Sequence, residues 1–452
     1  MSVHSSAAIV SIGDELTLGQ KLDTNSQWLS RALFDRGIAV REHVTLADDF
    51  EQNVAALRRL CTAYPLVLCT GGLGPTADDL TRQALARVMG EELVEDERAL
   101  GQIKGVMERR GRVMSENQRV QALRPRSGEM IDNPTGTAPG LAARVPGTDG
   151  VACDVFCLPG PPGELRPMFE SFVVPRLRTD ASRAVRARVL HCLGIGEGDL
   201  ATRLGPLMDR DRNPLVGTTA SGGVVSIRIR YEGPAGRAEE AMLDSERLCR
   251  ACAGPFVFGE ESQSIESVVL DLLRERGEKL VVVESCTGGL LGSLLTGVPG
   301  SSDAFLGGWV TYANELKSME VGVPGALIAE HGAVSEAVAI AMARGGLRHC
   351  APASHCLAIT GIAGPGGGSE RKPVGTAFIA RASLGGDGRA AHGADIHATG
   401  TSVECRRFLV IGDRNDVRGR SARLALMMLR FHLLGLDVPR TLWQVETGER
   451  AS

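Results

Sequence analysis

The chain is short of aromatic side chains, with 3 Trp, 3 Tyr and 11 Phe in 452 residues. Proteins that grip single-stranded nucleic acid stack bases on aromatic platforms, and this sequence has few to offer. It also lacks an excess of either charge: 50 Lys and Arg stand against 54 Asp and Glu, a net charge of −4. A general electrostatic hold on a polyanion is therefore not expected. No apolar run approaches the roughly 18 residues of a membrane span. The start, MSVHSSAAIVSIGDEL, has neither the basic region nor the apolar stretch of a signal peptide. The 11 cysteines are scattered without a disulfide-like framework, which reads as the reduced thiols of a cytoplasmic protein. Cys249 and Cys252 have CxxC spacing, but they fall in the amphipathic pattern EEAMLDSERLCRACAG with no second ligand pair nearby. A packed helix explains them better than a metal or redox centre. Internal repeats and low-complexity linkers are missing too.

What is present is alternation of apolar strands with amphipathic helices, in three blocks. Residues 1–175 read as α/β: AAIVSIG and YPLVLCTGG are short buried strands, and TNSQWLSRALFDRG is a helix with a polar cap and a closing glycine. Such alternation predicts a parallel sheet with helices on both faces. The glycine-rich turns all follow strands, so they should meet in one cleft at the carboxyl edge of the sheet. Residues 176–259 look like a small α+β unit, in which VVSIRIRY alternates as a half-exposed antiparallel strand. Nothing in that block gathers catalytic residue types, which suits a spacer or dimerisation module. Residues 260–436 return to α/β, with strands KLVVVES, AFLGGWVTY, CLAITGIAGPGGG and GTAFIARASL before the closing helix VRGRSARLALMMLRFHLLG; residues 437–452 form a tail.

The first block gathers acids at its turns. SIGDELTLGQKLDTNS places Asp14 and Glu15 just after a strand. TGGLGPTADDLTRQALARVMG places Gly71, Gly72 and Gly74 in a loop, with Asp78 and Asp79 expected in the first turn of the next helix. Glycines let backbone N–H groups approach an anion, and a helix N-terminus adds partial positive charge. Carboxylates at the same cleft, Asp14 and Asp79 above all, suit a hard divalent ion bridging phosphate oxygens. Together they predict a phosphate-plus-metal site able to make or break a pyrophosphate bond. A plainer reading stands beside it: Thr76 as N-cap and Asp79 at N3 form a capping-box-like pair that needs no ligand, and Asp78 serves as well for a cap as for a site. NPTGTAPG (133–140) and LPGPPGE (158–164), the latter ending on Glu164, add two restricted turns.

In the third block, VVVESCTGGLLGSLLT sets Ser285, Cys286 and Thr287 where a buried strand hands over to a helix. Such side chains are nucleophiles or merely helix caps. A serine needs a base. His331, His349 and His355 are poor candidates, expected as helix caps or surface groups. Lys317, in WVTYANELKSMEVG, is the better one if it is buried, because desolvation lowers a lysine's pKa and frees it to accept the serine proton. Backbone N–H groups from Cys286 to Gly289, with Gly288 between them, are placed to form an oxyanion hole. Cys286 is a rival nucleophile, ranked below Ser285 because no neighbouring cation or histidine would activate it.

In chain order, GDEL, TGGLGPTADDLT, MSENQ, NPTGTAPG, LPGPPGEL, GIGEGDL, NPLVGTTAS and FVFGEE resemble the CinA family. In the third block ESCTGG, VTYANELK, HGAVSEAVA, ITGIAGPGGG and GDRNDVR resemble its C-terminal nicotinamide-mononucleotide amidohydrolase domain. The resemblance spans nearly the whole chain; one departure is MSENQ (114–118), where the family usually has a proline and two asparagines. It implies a MoaB/MogA-like domain similar to molybdopterin-binding proteins, a small KH-like domain and an α/β amidohydrolase domain. It implies further that the first domain hydrolyses ADP-ribose to AMP and ribose 5-phosphate with a divalent metal (Mg, Mn or Co). The third would convert nicotinamide mononucleotide to nicotinate mononucleotide and ammonia with no cofactor. By resemblance Ser285 is the nucleophile, Lys317 its base and Tyr312 a partner that orients or relays the proton, while Thr360 and Arg414 hold substrate. The expected partners are these two nucleotides and a second copy of the chain in a homodimer, with no membrane and no direct nucleic-acid contact. The alternatives are a nucleotide- or molybdopterin-binding protein with an inactive first domain, or a competence-associated scaffold.

Overall fold

The structure is a computed structural model, which describes residues 3–147, 152–384, 401–437 and 439–445. The chain divides into two compact units, Met1–Arg186 with Tyr231–Glu240, and Ala187–Arg230 with Ala241–Ser452. Among the described residues no helix is long and apolar enough to cross a membrane.

The first unit runs β1 (Ser6–Ile12), α1 (Asp14–Thr17), α2 (Thr24–Phe34), β2 (Ala39–Leu46), α3 (Phe50–Ala63), β3 (Leu66–Thr70), α4 (Thr81–Met89), β4 (Leu93–Glu95), α5 (Glu97–Arg109), α6 (Glu116–Arg119), β5 (Leu123–Pro125), β6 (Glu129–Ile131), β7 (Gly140–Val145), β8 (Cys153–Leu158) and α7 (Pro162–Met168). Its main sheet has the order β2-β1-β3-β8-β7-β6. Strands β2, β1, β3 and β8 are parallel, as the alternation predicts, whereas β7 and β6 are antiparallel. The links into β7 and β8 are too short for the crossover that a parallel neighbour needs, so they double back. Both faces of β1 are covered: Ala7 and Ile9 pack with Leu29 and Leu33 of α2, and Ala8 and Val10 with Leu57 of α3 and Leu85 of α4. That is why its apolar run is unbroken.

The second unit begins with β9 (Arg183–Leu193), α8 (Glu197–Leu204), β10 (Leu215–Ser221), β11 (Val224–Pro234), α9 (Ala235–Ala253) and β12 (Val257–Glu260), some of whose residues belong to the first unit. They form a sheet in the order β10-β11-β9-β12, antiparallel between β10 and β11 and between β9 and β12. Val225, Ile227 and Ile229 of β11 are buried at every second position, the alternation expected of VVSIRIRY. Cys249, on α9, is buried, its thiol pushed up to about 12 by desolvation. All eleven cysteines are free thiols.

The chain continues through α10 (Ile265–Arg276), β13 (Leu280–Glu284), α11 (Leu290–Thr296), β14 (Phe305–Val310), α12 (Asn314–Val321), α13 (Gly325–His331), α14 (Glu336–His349), β15 (His355–Gly361), β16 (Thr376–Ser383), β17 (Ser402–Leu409), α15 (Arg414–Leu433) and β18 (Gln444–Val445). The sheet order is β14-β13-β15-β16-β17-β18, parallel across β14, β13 and β15 and antiparallel beyond. Leu280 and Val282 face α10 and α15, while Val281 and Val283 face α14. Near the far end of α15 the buried Arg430 donates to the carbonyls of Pro255 (3.0 Å) and Val257 (2.7 Å).

Helix α14 carries two interior glycines, each costing roughly 1 kcal/mol against alanine in an open helix. Packing explains them. A Cβ on Gly345 would stand 1.9 Å from the Val321 carbonyl oxygen, and one on Gly346 would stand 2.6 Å from Val283 Cγ2. The helix sits on the sheet and on the end of α12 only because those atoms are missing. Gly345→Ala should therefore cost about 2–3 kcal/mol through overpacking, despite the better helix former. The check is a thermal melt, in which the transition of the second unit falls by at least about 5 °C.

Candidate functional site

Strands β13 and β14 run parallel with Glu284 opposite Val310, and the Thr311 amide donates to the Glu284 carbonyl at 2.8 Å. Ser285 and Thr311 therefore leave the sheet side by side, at its carboxyl edge. Ser285 is held at both ends of its backbone. Its amide donates to the Ile359 carbonyl (3.0 Å), and its carbonyl accepts from the Gly288 amide (3.0 Å). Residues 286–289 form a turn before α11, and Gly288 and Gly289 take left-handed φ values of 58° and 88° that favour glycine.

Lys317 is the decisive side chain at this edge. It is 1% exposed, and its amine donates to the carbonyls of Thr311 (2.9 Å) and Tyr312 (3.2 Å). Among the described residues no carboxylate pairs with it. Burial pushes its pKa below the usual lysine value, opposed by the nearby Cys286 and Glu315. A neutral amine has two N–H bonds and one lone pair. In that form the two carbonyls would take both bonds and leave the lone pair open. The amine and Ser285 share this edge without a direct hydrogen bond, a spacing common in sites without substrate.

Several expectations need correction. The helix is not capped by Thr287, whose buried hydroxyl has no partner. Its free N–H groups are taken by the Glu284 carboxylate, which accepts from Leu291 (3.0 Å) and Gly292 (2.8 Å). The Gly288 amide is spent on closing the turn, so the oxyanion donors left are the amides of Thr287 and Gly289, with that of Cys286 beside them. The Cys286 side chain packs in the core, and burial pushes its thiol up to about 12, leaving no thiolate near neutral pH. His355 is neither a cap nor a surface group. It is buried between Ser383 (2.8 Å) and Glu278 (2.8 Å), at the end of β15 remote from Ser285.

Tyr312 is 58% exposed; its hydroxyl accepts from Arg414 Nη2 at 3.0 Å while Arg414 Nη1 donates to the Gly364 carbonyl at 2.7 Å. The structure thus joins Tyr312 to Arg414 by its side chain and to Lys317 by its carbonyl. Thr360 is fully buried, its hydroxyl donating to the Ala333 carbonyl at 2.8 Å. Sequence reasoning missed Glu284 and Arg418. Arg418 donates through Nε (3.1 Å) and Nη2 (2.9 Å) to the Thr287 carbonyl, one turn along α15 from Arg414. The i, i+4 arginine spacing in GDRNDVRGR was the available signal for it.

In the first unit the turns after β1, β3 and β8 do meet, around a cleft of about 630 Å³ lined by Gly13, Glu15, Lys21, Gly71, Gly72, Gly74, Asp78, Asp79 and Glu164 among others. Four consecutive carbonyls of its glycine-rich loop are tied from behind. Gly71 accepts from Thr81 Oγ1 (2.8 Å), Gly72 from the Thr81 amide (3.1 Å), Leu73 from Arg82 Nη2 (2.6 Å) and Gly74 from Arg82 Nη1 (3.2 Å). The amides of Gly72, Leu73 and Gly74 have no partner among the described residues. Arg82 is buried, which pulls its pKa down to about 10.

The acids are arranged differently from expectation. Helix α4 begins at Thr81, so Asp78 and Asp79 precede it rather than occupy its first turn. The Asp79 carboxylate accepts from the Thr76 amide (2.9 Å) and hydroxyl, the reach of N3 back to N-cap in the expected pair, here in the turn that precedes α4. Asp14 does not line the cleft; its carboxylate accepts from the Asp48 amide (3.1 Å). Asp48 does line it, and its carboxyl is raised by burial and by the neighbouring Asp14, Asp78 and Glu15, against a hydrogen bond from the Asp14 amide. Glu164 accepts from Asn133 at 2.6 Å. The described residues contain no group of three or more His, Cys, Asp or Glu placed to hold a metal ion. Asp14 and Asp79 are not brought together at the cleft as the expected pair: Asp79 lines it and Asp14 does not.

Three family models match the chain in sequence order. They are the probable molybdopterin binding domain at residues 8–179, the damage-inducible protein CinA KH domain at 187–259 and the CinA C-terminal domain at 262–433. A putative competence-damage inducible protein of Symbiobacterium thermophilum is 43% identical over 435 residues, 95% of this chain and 99% of that protein. A CinA-like protein of Synechococcus sp. RCC307 is 40% identical over 433 residues, 95% of this chain and 99% of its own length. Among solved structures, the protein CinA of unknown function from Thermoplasma acidophilum is 32% identical, covering 38% of this chain and 98% of its own, with a TM-score of 0.35. With relatives matched end to end at this identity, the chain belongs to the CinA family.

Proposed function

We propose that the chain is a hydrolase of pyridine-nucleotide recycling whose second unit deamidates nicotinamide mononucleotide. The observation that supports this is the buried Lys317 amine, with both N–H bonds engaged and a depressed pKa, at the sheet edge that carries Ser285. Ser285 Oγ attacks the carboxamide carbon and passes its proton to Lys317 Nζ. The oxyanion that forms faces the amides of Thr287 and Gly289. Lys317 then protonates the leaving nitrogen, the C–N bond breaks and ammonia departs. Water, deprotonated by the same amine, cleaves the Ser285 ester to nicotinate mononucleotide and the proton returns to Oγ. Arg414 supplies the cation for the single phosphate, with Tyr312 orienting it. The Thr360 hydroxyl proton is committed to Ala333, so its lone pairs are what it offers to a carboxamide N–H.

A second site is favoured by a different observation, the three unpartnered amides of the glycine-rich loop in the first unit. We propose that this cleft binds ADP-ribose through its pyrophosphate and yields AMP and ribose 5-phosphate. The family resemblance implies a divalent ion for that reaction. A cytoplasmic homodimer belongs to the same reading.

Ammonia release from nicotinamide mononucleotide, with chelator present, tests the amidase. Ser285→Ala should lower kcat/KM by at least about 1,000-fold, and Lys317→Ala by about 100- to 10,000-fold. Activity persisting in Ser285→Ala would move the nucleophile elsewhere. The neutral amine is the active form, so kcat/KM should rise with pH through the depressed pKa of Lys317 and be lost as pH falls through it. The midpoint should lie below the ordinary lysine value of 10.5. Lys317→Arg should abolish that rise, because a guanidinium is not deprotonated in a protein. For the first unit, AMP release from ADP-ribose is measured with and without added Mg, Mn or Co; no AMP under any of them would leave a binding role only.

A further inference from the structure

The mechanism above leaves one guanidinium unused. Arg418 lies on α15 four residues beyond Arg414, and it reaches away from the phosphate end to the turn behind Ser285. Both of its bonds, 3.1 and 2.9 Å, go to a single acceptor, the Thr287 carbonyl. Two donors from a planar, permanently charged group fix the direction of that carbonyl.

A peptide unit is planar, so fixing the Thr287 C=O also fixes the Gly288 N–H on its far side. That N–H donates to the Ser285 carbonyl at 3.0 Å and closes the turn. The cation also draws electron density toward the Thr287 oxygen, which makes the Gly288 N–H a stronger donor. The two peptide units that flank this plane carry the amides of Thr287 and Gly289, both unpartnered among the described residues. Gly288 and Gly289 take φ of 58° and 88°, a stretch with no side-chain constraint of its own. Helix α11 adds one longer bond to the same carbonyl, from the Leu290 amide at 3.2 Å, while the Leu291 and Gly292 amides go to Glu284. Arg418 is the side chain that grips the middle of the turn.

We propose that Arg418 is a positioning residue of the amidase site: by clamping the Thr287 carbonyl it holds the turn closed on Ser285 and aims the amides of Thr287 and Gly289 at the oxyanion. This rests on Ser285 acting as the nucleophile proposed above. The group touches no reacting atom. Its effect is to keep the donors pre-aligned, so it is felt when the oxyanion forms and not when substrate docks.

The test uses the full chain with Arg418→Ala and Arg418→Lys and two readouts. With nicotinamide mononucleotide, Arg418→Ala should lower kcat about 10- to 100-fold with KM changed less than about 2-fold, by analogy with loss of oxyanion donors. Arg418→Lys, which offers a point charge without the fork, should fall between. Millimolar guanidinium ion should restore part of the kcat of Arg418→Ala and do nothing for the parent, which a purely structural role would not produce. The second readout is the rate at which a fluorophosphonate labels Ser285, which needs no knowledge of the natural substrate. It should drop in parallel and be rescued in parallel. Unchanged kcat and labelling in Arg418→Ala would overturn the proposal. So would a loss that follows the melting temperature and resists guanidinium. If the parent labels at Ser285 but releases no ammonia, the substrate assignment fails while the labelling ratio still decides the role of Arg418. If the parent does neither, the nucleophile assignment fails and this inference fails with it.

Discussion

The sheet edge that carries Ser285 depends on burying a lysine amine that, among the described residues, forms no ion pair. Removing an ammonium from water is costly, and that cost pulls its pKa below the usual lysine value. Lys317 lies in the first turns of α12, yet its amine folds back to the carbonyls of Thr311 and Tyr312, just beyond the end of β14. One amine thereby ties the end of a strand to the start of a helix. Tyr312 then has two duties at two ends: its carbonyl holds the Lys317 amine and its hydroxyl meets Arg414. The proposed base and the proposed phosphate cation are linked through this single residue.

Both units solve the same backbone problem in the same way. A glycine-rich turn after a strand has no side chains to define where its N–H groups point. In the first unit Arg82, at the start of the following helix, takes the carbonyls of Leu73 and Gly74. In the second, Arg418 takes the carbonyl of Thr287. Holding the oxygens from behind leaves the amides on the open side, the arrangement of an anion-binding nest. The glycines permit the conformation, and the arginines select it.

Much of this was legible in the sequence, and the omissions have a common cause. Strand periodicity and the position of glycines placed Ser285 at a strand-to-helix turn and brought the loops at Gly13, Gly71 and Pro159 into one cleft. What failed was the direction of individual polar side chains. Asp14 and Glu15 are adjacent, and only the fold reveals that Glu15 faces the cleft while Asp14 turns to Asp48. Glu284 sat unnoticed at the end of an apolar run because a carboxylate there looks like a strand terminus, although it caps a helix across the turn. His355 looked like a surface group for the opposite reason: its partners Glu278 and Ser383 are 77 and 28 residues away. Long-range partners leave no local trace. Antiparallel β7 and β6 escaped similarly, since connection length and not strand composition decides their direction.

Helix α15 has a consequence for the modularity of the second unit. One end carries Arg414 and Arg418 beside the Ser285 turn, and Arg430, about 24 Å along the axis at 1.5 Å per residue, is anchored at the start of β12 by the carbonyls of Pro255 and Val257. The middle segment thus supplies acceptors for a buried guanidinium that belongs to the C-terminal fold. A graft or excision that cuts the chain after Glu260 would leave that guanidinium with a cavity where its acceptors had been. An apolar residue at position 430 would remove that defect.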